Sequence, residues 1–280
     1  MSRLKIVRIG VELKQGCTIE GADLAIQALT EAGIHFDVTL SVIEDEEEYP
    51  RNLLYLPQVL ELNKRIQAEV KKVKDEGLFP LTFGGDHALA IGTISAVANP
   101  NTGVFWVDAH GDCNTEKTTP SGRIHGMPLA VLQGDGYKEL TALIDTPIAP
   151  EHIVLFGIRS LDPEEEQYIR DKNIKMYTME KIREMGFEVA LNDAMTYLKD
   201  REVHLSFDLD SIDPRVCKGV NTPVAGGLNK EEAFAIVEAS FEKLSVTSMD
   251  IVEYNPFFDE GNSIQIAKKI NRIVASQKGI

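Results

Sequence analysis

Four short clusters in this chain bring together the residue types that bind cations and move protons. They are Gly84-Gly85-Asp86-His87, Asp108-Ala109-His110-Gly111-Asp112, Asp208-Leu209-Asp210 and Val252-Glu253-Tyr254-Asn255. In an extended chain residues i and i+2 point the same way. That spacing leads us to expect Asp108, His110 and Asp112 on one face, and Asp208 with Asp210 on another. Each piece alone is weak: a lone Asp-x-His or Asp-x-Asp at a strand end is more often a cap or turn residue. Their joint occurrence is more informative, because buried carboxylates need partners. Asp108, Asp112, Asp208 and Asp210 carry a charge that two divalent cations neutralise. Carboxylates with a minority of imidazole suit Mn²⁺, and the absence of thiolate argues against a structural zinc. Two such ions about 3.5–4 Å apart make a strong nucleophile of water at neutral pH. The chemistry is metal-assisted hydrolysis.

These clusters need elements that bring them together. Short β-branched or apolar runs at 5–11, 36–42, 79–83, 103–108, 153–158, 175–177, 203–208 and 248–253 read as strands. Between them, 22–32, 53–74, 164–172, 187–199, 230–244 and 263–276 carry apolar residues at helical spacing. Strands alternating with helices mean an α/β chain with a mostly parallel sheet. The pattern fits an open doubly wound sheet or a closed barrel, and in both ligands sit at the carboxyl ends of the strands. The clusters fall at those ends. No composition shift or internal repeat divides the chain, so residues 1–280 read as one domain. The stretch 111–124 is polar, carries Gly and Pro, and exceeds the usual two to six residues of such a connection, which marks it as functional. The acidic run 44–48 reads as a solvated loop.

Composition removes other classes. The 280 residues carry a net charge of −15, which disfavours nucleic acid and anionic membranes as partners. No apolar run approaches the roughly 20 residues of a membrane span, and no signal-peptide pattern opens the chain. Three cysteines, Cys17, Cys113 and Cys217, form no CxxC spacing, so neither a disulfide framework nor a zinc ribbon is expected, and a reducing cytoplasm is the expected compartment. Cys113 should pack beneath the site, and Cys217 is expected as an exposed thiol. His35, His152 and His204 lie near strand starts and read as ordinary, and Asp213, before Pro214, reads as a turn carboxylate.

In order along the chain, GGDHALAIG, WVDAHGDCNT, SGRIHGMPLA, SFDLDSIDP and DIVEYNP resemble the signatures of the ureohydrolase family, closest to its bacterial-type arginases rather than its agmatinases. The likeness runs from about residue 5 to 275, with RSLDPEEEQYI and IKMYTM also similar to the bacterial pattern. It implies a single three-layer αβα domain around a central parallel eight-stranded sheet. It also implies two Mn²⁺ ions per subunit, one held by His87, Asp108, Asp112 and Asp208, the other by Asp108, His110, Asp208 and Asp210. Asp112 would pass a proton to the departing amine, His125 would exchange protons with solvent, and Glu253 would pair with a guanidinium. Asn114, Thr119 and Ser121 would contact a substrate α-carboxylate and Asp162 its α-amino group, with Glu165 behind them and Thr222 near the guanidinium. The implied partner is a small guanidino substrate, and the implied assembly a homo-oligomer, trimer or hexamer.

The chain also departs from the pattern. Arg123 replaces the asparagine of SGNxHG, adding a fixed positive charge at the carboxylate end. Ala88 replaces a serine, Asn221 a glycine before Thr-Pro, and Cys217-Lys218-Gly219 an Ala-Pro-Gly. Three readings follow: hydrolysis of L-arginine to L-ornithine and urea; the same chemistry on agmatine, 4-guanidinobutyrate or formiminoglutamate; or a metal-binding protein without turnover, which requires an inert Glu253 and His125.

Overall fold

A computed structural model describes residues 5–43, 50 and 52–279; the acidic run at 44–48 lies outside the described residues. Among the described residues eight strands form one sheet: β1 (Ile6–Glu12), β2 (Val38–Ser41), β3 (Phe79–Gly84), β4 (Thr102–Val107), β5 (Ile153–Ile158), β6 (Lys175–Thr178), β7 (Glu202–Asp208) and β8 (Ser245–Val252). Every strand pairing is parallel, in the order β2-β1-β3-β8-β7-β4-β5-β6. β2 and β6 remain as edges, so the sheet is open and the barrel is excluded. The strands that carry the four clusters, β3, β8, β7 and β4, are consecutive at the centre of the sheet. Clusters far apart in the chain therefore end side by side.

Ten helices cover the two faces: α1 (Ala25–Glu31), α2 (Leu56–Asp75), α3 (Ala90–Val97), α4 (Pro128–Leu132), α5 (Lys138–Thr141), α6 (Pro163–Asp171), α7 (Met179–Met185), α8 (Phe187–Leu198), α9 (Lys230–Lys243) and α10 (Asn262–Gln277) among the described residues. Residues of α1, α7, α8, α9 and α10 join one apolar cluster, and residues of α2 to α6 join the clusters on the other face. The alternation is clean along β7. Val203, Leu205 and Phe207 enter the first cluster, while His204, Ser206 and Asp208 face the opposite way, where α3 lies. One face of this central strand is thus ordinary core and the other is polar. All eight strands lie where the sequence places them, within a few residues at their ends.

The helical pattern missed α3, α5 and α7. In α3, Ala90, Ile91, Gly92, Thr93, Ile94 and Val97 are all buried, so the helix has no polar stripe for periodicity to detect. It packs so closely on α2 that a Cβ at Gly92 would lie 2.7 Å from the Asn63 carbonyl oxygen. A correction concerns Cys217. The thiol is fully buried in the apolar cluster that includes Val220 and Ile212, and burial pushes its pKa up to about 12. Its Cys-Lys-Gly segment reads as polar, but the backbone tucks the cysteine inward. Cys113 is buried as expected, and Asp213 takes the backbone N–H groups of Arg215 and Gly226 as a turn carboxylate does. Among the described residues no helix is long and apolar enough to cross a membrane.

Candidate metal centre and active site

Each cluster is aimed by a local device. Asp108 follows β4 and Asp208 ends β7. Each accepts the N–H two residues on through its Oδ1, His110 N and Asp210 N respectively, both at 2.7 Å. This Asx-type turn spends one carboxylate oxygen on the backbone and leaves Oδ2 to face inward. The expectation that an extended chain aligns 108, 110 and 112 is thus corrected. Strand β4 stops at Val107, and Asp112 reaches the site from a left-handed backbone with φ +48°. Asp86 caps the turn that presents His87, accepting from Ala88 N and gathering the N–H groups of Gly16 and Cys17. Burial, then the charge of Glu253, raises the Asp86 carboxyl to about 7.

The imidazole of His87 is stacked on Trp106 with ring centroids 3.9 Å apart, and its Nε2 lies 2.8 Å from Ser206 Oγ. That contact turns Nδ1 toward the carboxylates: Asp108 Oδ2 at 3.0 Å, Asp208 Oδ2 at 3.1 Å and Asp112 Oδ2 at 3.3 Å. Among the described residues neither His87 Nδ1 nor Asp108 Oδ2 finds a hydrogen-bond partner, although both are buried. On the other side His110 Nδ1 lies 3.1 Å from Asp210 Oδ2 and 3.4 Å from Asp108 Oδ1. The donors form two groups, His87-Asp108-Asp112 and Asp108-His110-Asp210, each with its ligand atoms within 4.8 Å of one another. Asp108 belongs to both. Asp208 is outside both groups but beside His87.

The electrostatics fit a cation pair. Burial, then neighbouring carboxylates, holds the Asp112 and Asp208 carboxyls well above the usual range. Burial opposes ionisation of Asp108 too, but His110 and His87 outweigh it and hold that carboxyl low. Hard oxygen donors with two imidazoles, orphaned lone pairs turned to common points and carboxylates short of positive charge are what divalent cations satisfy.

A cavity of about 120 Å³ opens above these groups. Its lining holds His110, Asp112, Asp208, Asp210, Thr222, Glu253 and His125, and also Asn114, Thr119, Ser121, Arg123, Asp162 and Glu165. His87 and Asp108 lie beneath it. The expected site residues are therefore gathered in one place. Glu253, buried and at φ +65°, accepts from His87 N at 2.7 Å and lies 3.2 Å from His125 Nδ1 through the same oxygen. Burial works against its charge, but His125 and then Asn221 hold the carboxyl below its usual range. Asn114 Nδ2 donates to Asp162 Oδ2 at 2.9 Å, and Thr222 Oγ1 donates to Asp210 Oδ2 at 3.0 Å. Thr119 and Ser121 turn their hydroxyls on the backbone N–H groups of Gly122 and Arg123. Glu165 takes Cys113 N at 2.9 Å and Asp162 N at 3.3 Å, tying the 112–114 loop to α6; burial raises its carboxyl to about 7. Among the described residues no carboxylate pairs with the half-buried Arg123 guanidinium.

The sequence did not single out Ser206, Trp106 or Arg159. Ser206 was legible in principle, because it sits two residues before Asp208 on the same face of β7. Arg159 donates to the carbonyls of Asp210, Ser211 and Val224, stapling the loop after β7 to the end of β5.

The family model that matches this chain is the arginase family, over residues 5–275. An arginase of Bacillus caldovelox is 42% identical over 274 residues, covering 91% of this chain and 92% of its own length. An arginase of Bacillus subtilis is 40% identical over 272 residues, covering 91% of each. The crystal structure of an arginase from Bacillus cereus superposes with a TM-score of 0.89 at 38% identity, covering 97% of this chain and 98% of the other.

Proposed function

The chain belongs to the arginase family of hydrolases, and from that premise we propose that it is a binuclear manganese arginase, converting L-arginine and water into L-ornithine and urea. The observation that carries this reading is the order of groups along one cavity. Metal-type donors lie at its floor, a buried ionised carboxylate, Glu253, on its wall, and amide, hydroxyl and guanidinium groups at its mouth. That order is complementary to a molecule with a guanidinium at one end and an α-amino acid at the other.

His87, Asp108, Asp112 and Asp208 would hold one ion and Asp108, His110, Asp208 and Asp210 the other. Bound there, two divalent cations would offset the carboxylate charge and supply a nucleophile made from water at neutral pH. Glu253 receives guanidinium N–H groups in charge-assisted hydrogen bonds and sets the plane of the carbon under attack. Asp112 lines the cavity beside that carbon and carries the proton to the departing amine as the C–N bond breaks. His125, with 15% of its side chain exposed, exchanges protons between the cavity and solvent. Asn114, Thr119, Ser121 and Asp162 hold the amino-acid end, with Glu165 keeping the loop beneath them in place.

Arg123 favours a second reading, a guanidino or formimino acid such as 4-guanidinobutyrate or formiminoglutamate, because its charge selects a carboxylate and leaves agmatine without a partner. The test is urea release by the Mn²⁺-loaded protein across L-arginine, agmatine and 4-guanidinobutyrate, with formamide release from formiminoglutamate. L-arginine is expected to give the highest kcat/KM and agmatine the lowest. No urea from L-arginine at neutral or alkaline pH contradicts the first reading. An Arg123→Asn variant with an unchanged substrate ranking removes Arg123 as the cause.

A further inference from the structure

We infer that Asn221 is a positioning residue that fixes the carboxylate of Glu253 before a guanidinium arrives; the inference rests on the role given to Glu253 above. Glu253 Oε1 is occupied by the backbone N–H of His87 at 2.7 Å and by His125 at 3.2 Å. Among the described residues its Oε2 meets a single donor, Asn221 Nδ2, at 2.5 Å. An oxygen with two lone pairs that accepts once from the protein keeps one for a guanidinium N–H.

The polarity of the Asn221 amide is imposed from a distance. The backbone N–H of Phe257 can only donate, so Asn255 turns its Oδ1 to it, at 2.9 Å. The Nδ2 of Asn255 then faces two acceptors, the carbonyl of Glu20 at 3.0 Å and Asn221 Oδ1 at 2.7 Å. With its own oxygen so engaged, Asn221 has only Nδ2 to offer Glu253. Both amides are buried, with Asn255 at 0% and Asn221 at 6% exposure, so water does not compete for these contacts. A chain of one-way hydrogen bonds thus runs from a backbone N–H to the oxygen that faces substrate. Where the family pattern has glycine at this position, no side chain can supply that donor.

The experiment uses the full chain loaded with Mn²⁺ and three variants: Asn221→Ala, Asn221→Asp and Asn255→Asp. Asn221→Asp keeps the volume and replaces the donor by an acceptor. Asn255→Asp keeps the Phe257 contact but offers Asn221 an acceptor, so the intact Asn221 amide must turn its oxygen toward Glu253. Bound metal, the calorimetric Kd of guanidinium ion, and KM and kcat on L-arginine are measured for each. We expect unchanged metal content. Guanidinium Kd and L-arginine KM should rise together about tenfold in Asn221→Ala, the size of one charge-assisted hydrogen bond. The rise should be larger in both aspartate variants, with kcat changed far less. Variants that load metal and bind guanidinium as the parent does overturn the inference, as does an Asn221→Asp no weaker than Asn221→Ala. If Asn221→Ala fails to fold, Asn255→Asp alone decides. A parent that hydrolyses no L-arginine rejects the functional reading, while the ratio of guanidinium affinities still decides this one.

Discussion

His87 and His204 are both buried imidazoles, and each has a nitrogen 3.0 Å from an aspartate oxygen, Asp108 for one and Asp250 for the other. Around His204 both ring nitrogens are engaged, although Asp250 Oδ1 is left without a hydrogen bond among the described residues. The imidazole Nδ1 meets Ser248 Oγ at 2.8 Å, its Nε2 meets Asp250, and Thr93 donates to the same carboxylate oxygen at 2.6 Å. Around His87 only one ring nitrogen is engaged. One nitrogen meets Ser206, and the other sits among three carboxylate oxygens without a hydrogen bond. Residue types and burial alike are matched, so neither separates a structural pair from a ligand pair. What separates them is whether both ring nitrogens are engaged: each is for His204, whereas His87 Nδ1 sits unbonded among three carboxylate oxygens. A histidine–aspartate pair that satisfies both ring nitrogens stabilises the sheet, and one that leaves a ring nitrogen among several convergent carboxylate oxygens awaits a cation.

Substitutions at the two pairs should therefore fail in opposite ways. Asp108→Ala removes the carboxylate common to both donor groups, and turnover should fall by roughly 10³-fold or more, the scale of losing a charge-stabilising group in an active site. The metal-free variant should melt no lower than metal-free parent by more than a few degrees. His204→Ala leaves Asp250 buried with only the Thr93 hydroxyl as donor among the described residues, so unfolding in denaturant should show a loss of about 3–5 kcal/mol. The variant that remains folded should keep its bound metal and KM. A His204→Ala that melts normally but loses metal would break the comparison.

Ser206→Ala, expected next in size, frees the His87 ring from the contact that orients it. Metal affinity, measured by competition with a chelator, should weaken about 10–100-fold, as for other residues that orient a metal-bound imidazole. The smallest effect is a pH slope. Glu165 has its carboxyl raised to about 7 from the ordinary 4.5, so the folded chain holds a proton there that the unfolded chain has released. Its contribution is favourable below the ordinary range and is lost as pH rises through that window. Thermal melts of the parent should show this decline, and Glu165→Gln should flatten it and melt a few degrees higher above the window.

Most of the scaffold was legible because parallel strands buried on both faces leave unbroken apolar runs, as β3, β4 and β5 do. The candidate site was legible because four strands that are neighbours in the sheet each end in a titratable cluster. Two things were hidden. α3 is buried on nearly every side and so shows no helical stripe, and Asp112 reaches its place through a left-handed backbone that no side-chain pattern encodes. Long-range partners were hidden for a different reason. Ser206 shares a face with Asp208 and was within reach of the strand pattern, but nothing local records that it pairs with His87 across 119 residues or that Asn221 pairs with Glu253 across 32.

The central claim is that two donor groups joined through Asp108 hold a pair of cations. Metal content after Mn²⁺ loading and removal of excess tests it most directly, on the parent, His87→Ala and Asp108→Ala side by side. The account predicts two ions per chain in the parent, about one in His87→Ala and none in Asp108→Ala. A parent holding a single ion, or an Asp108→Ala that keeps both, contradicts it.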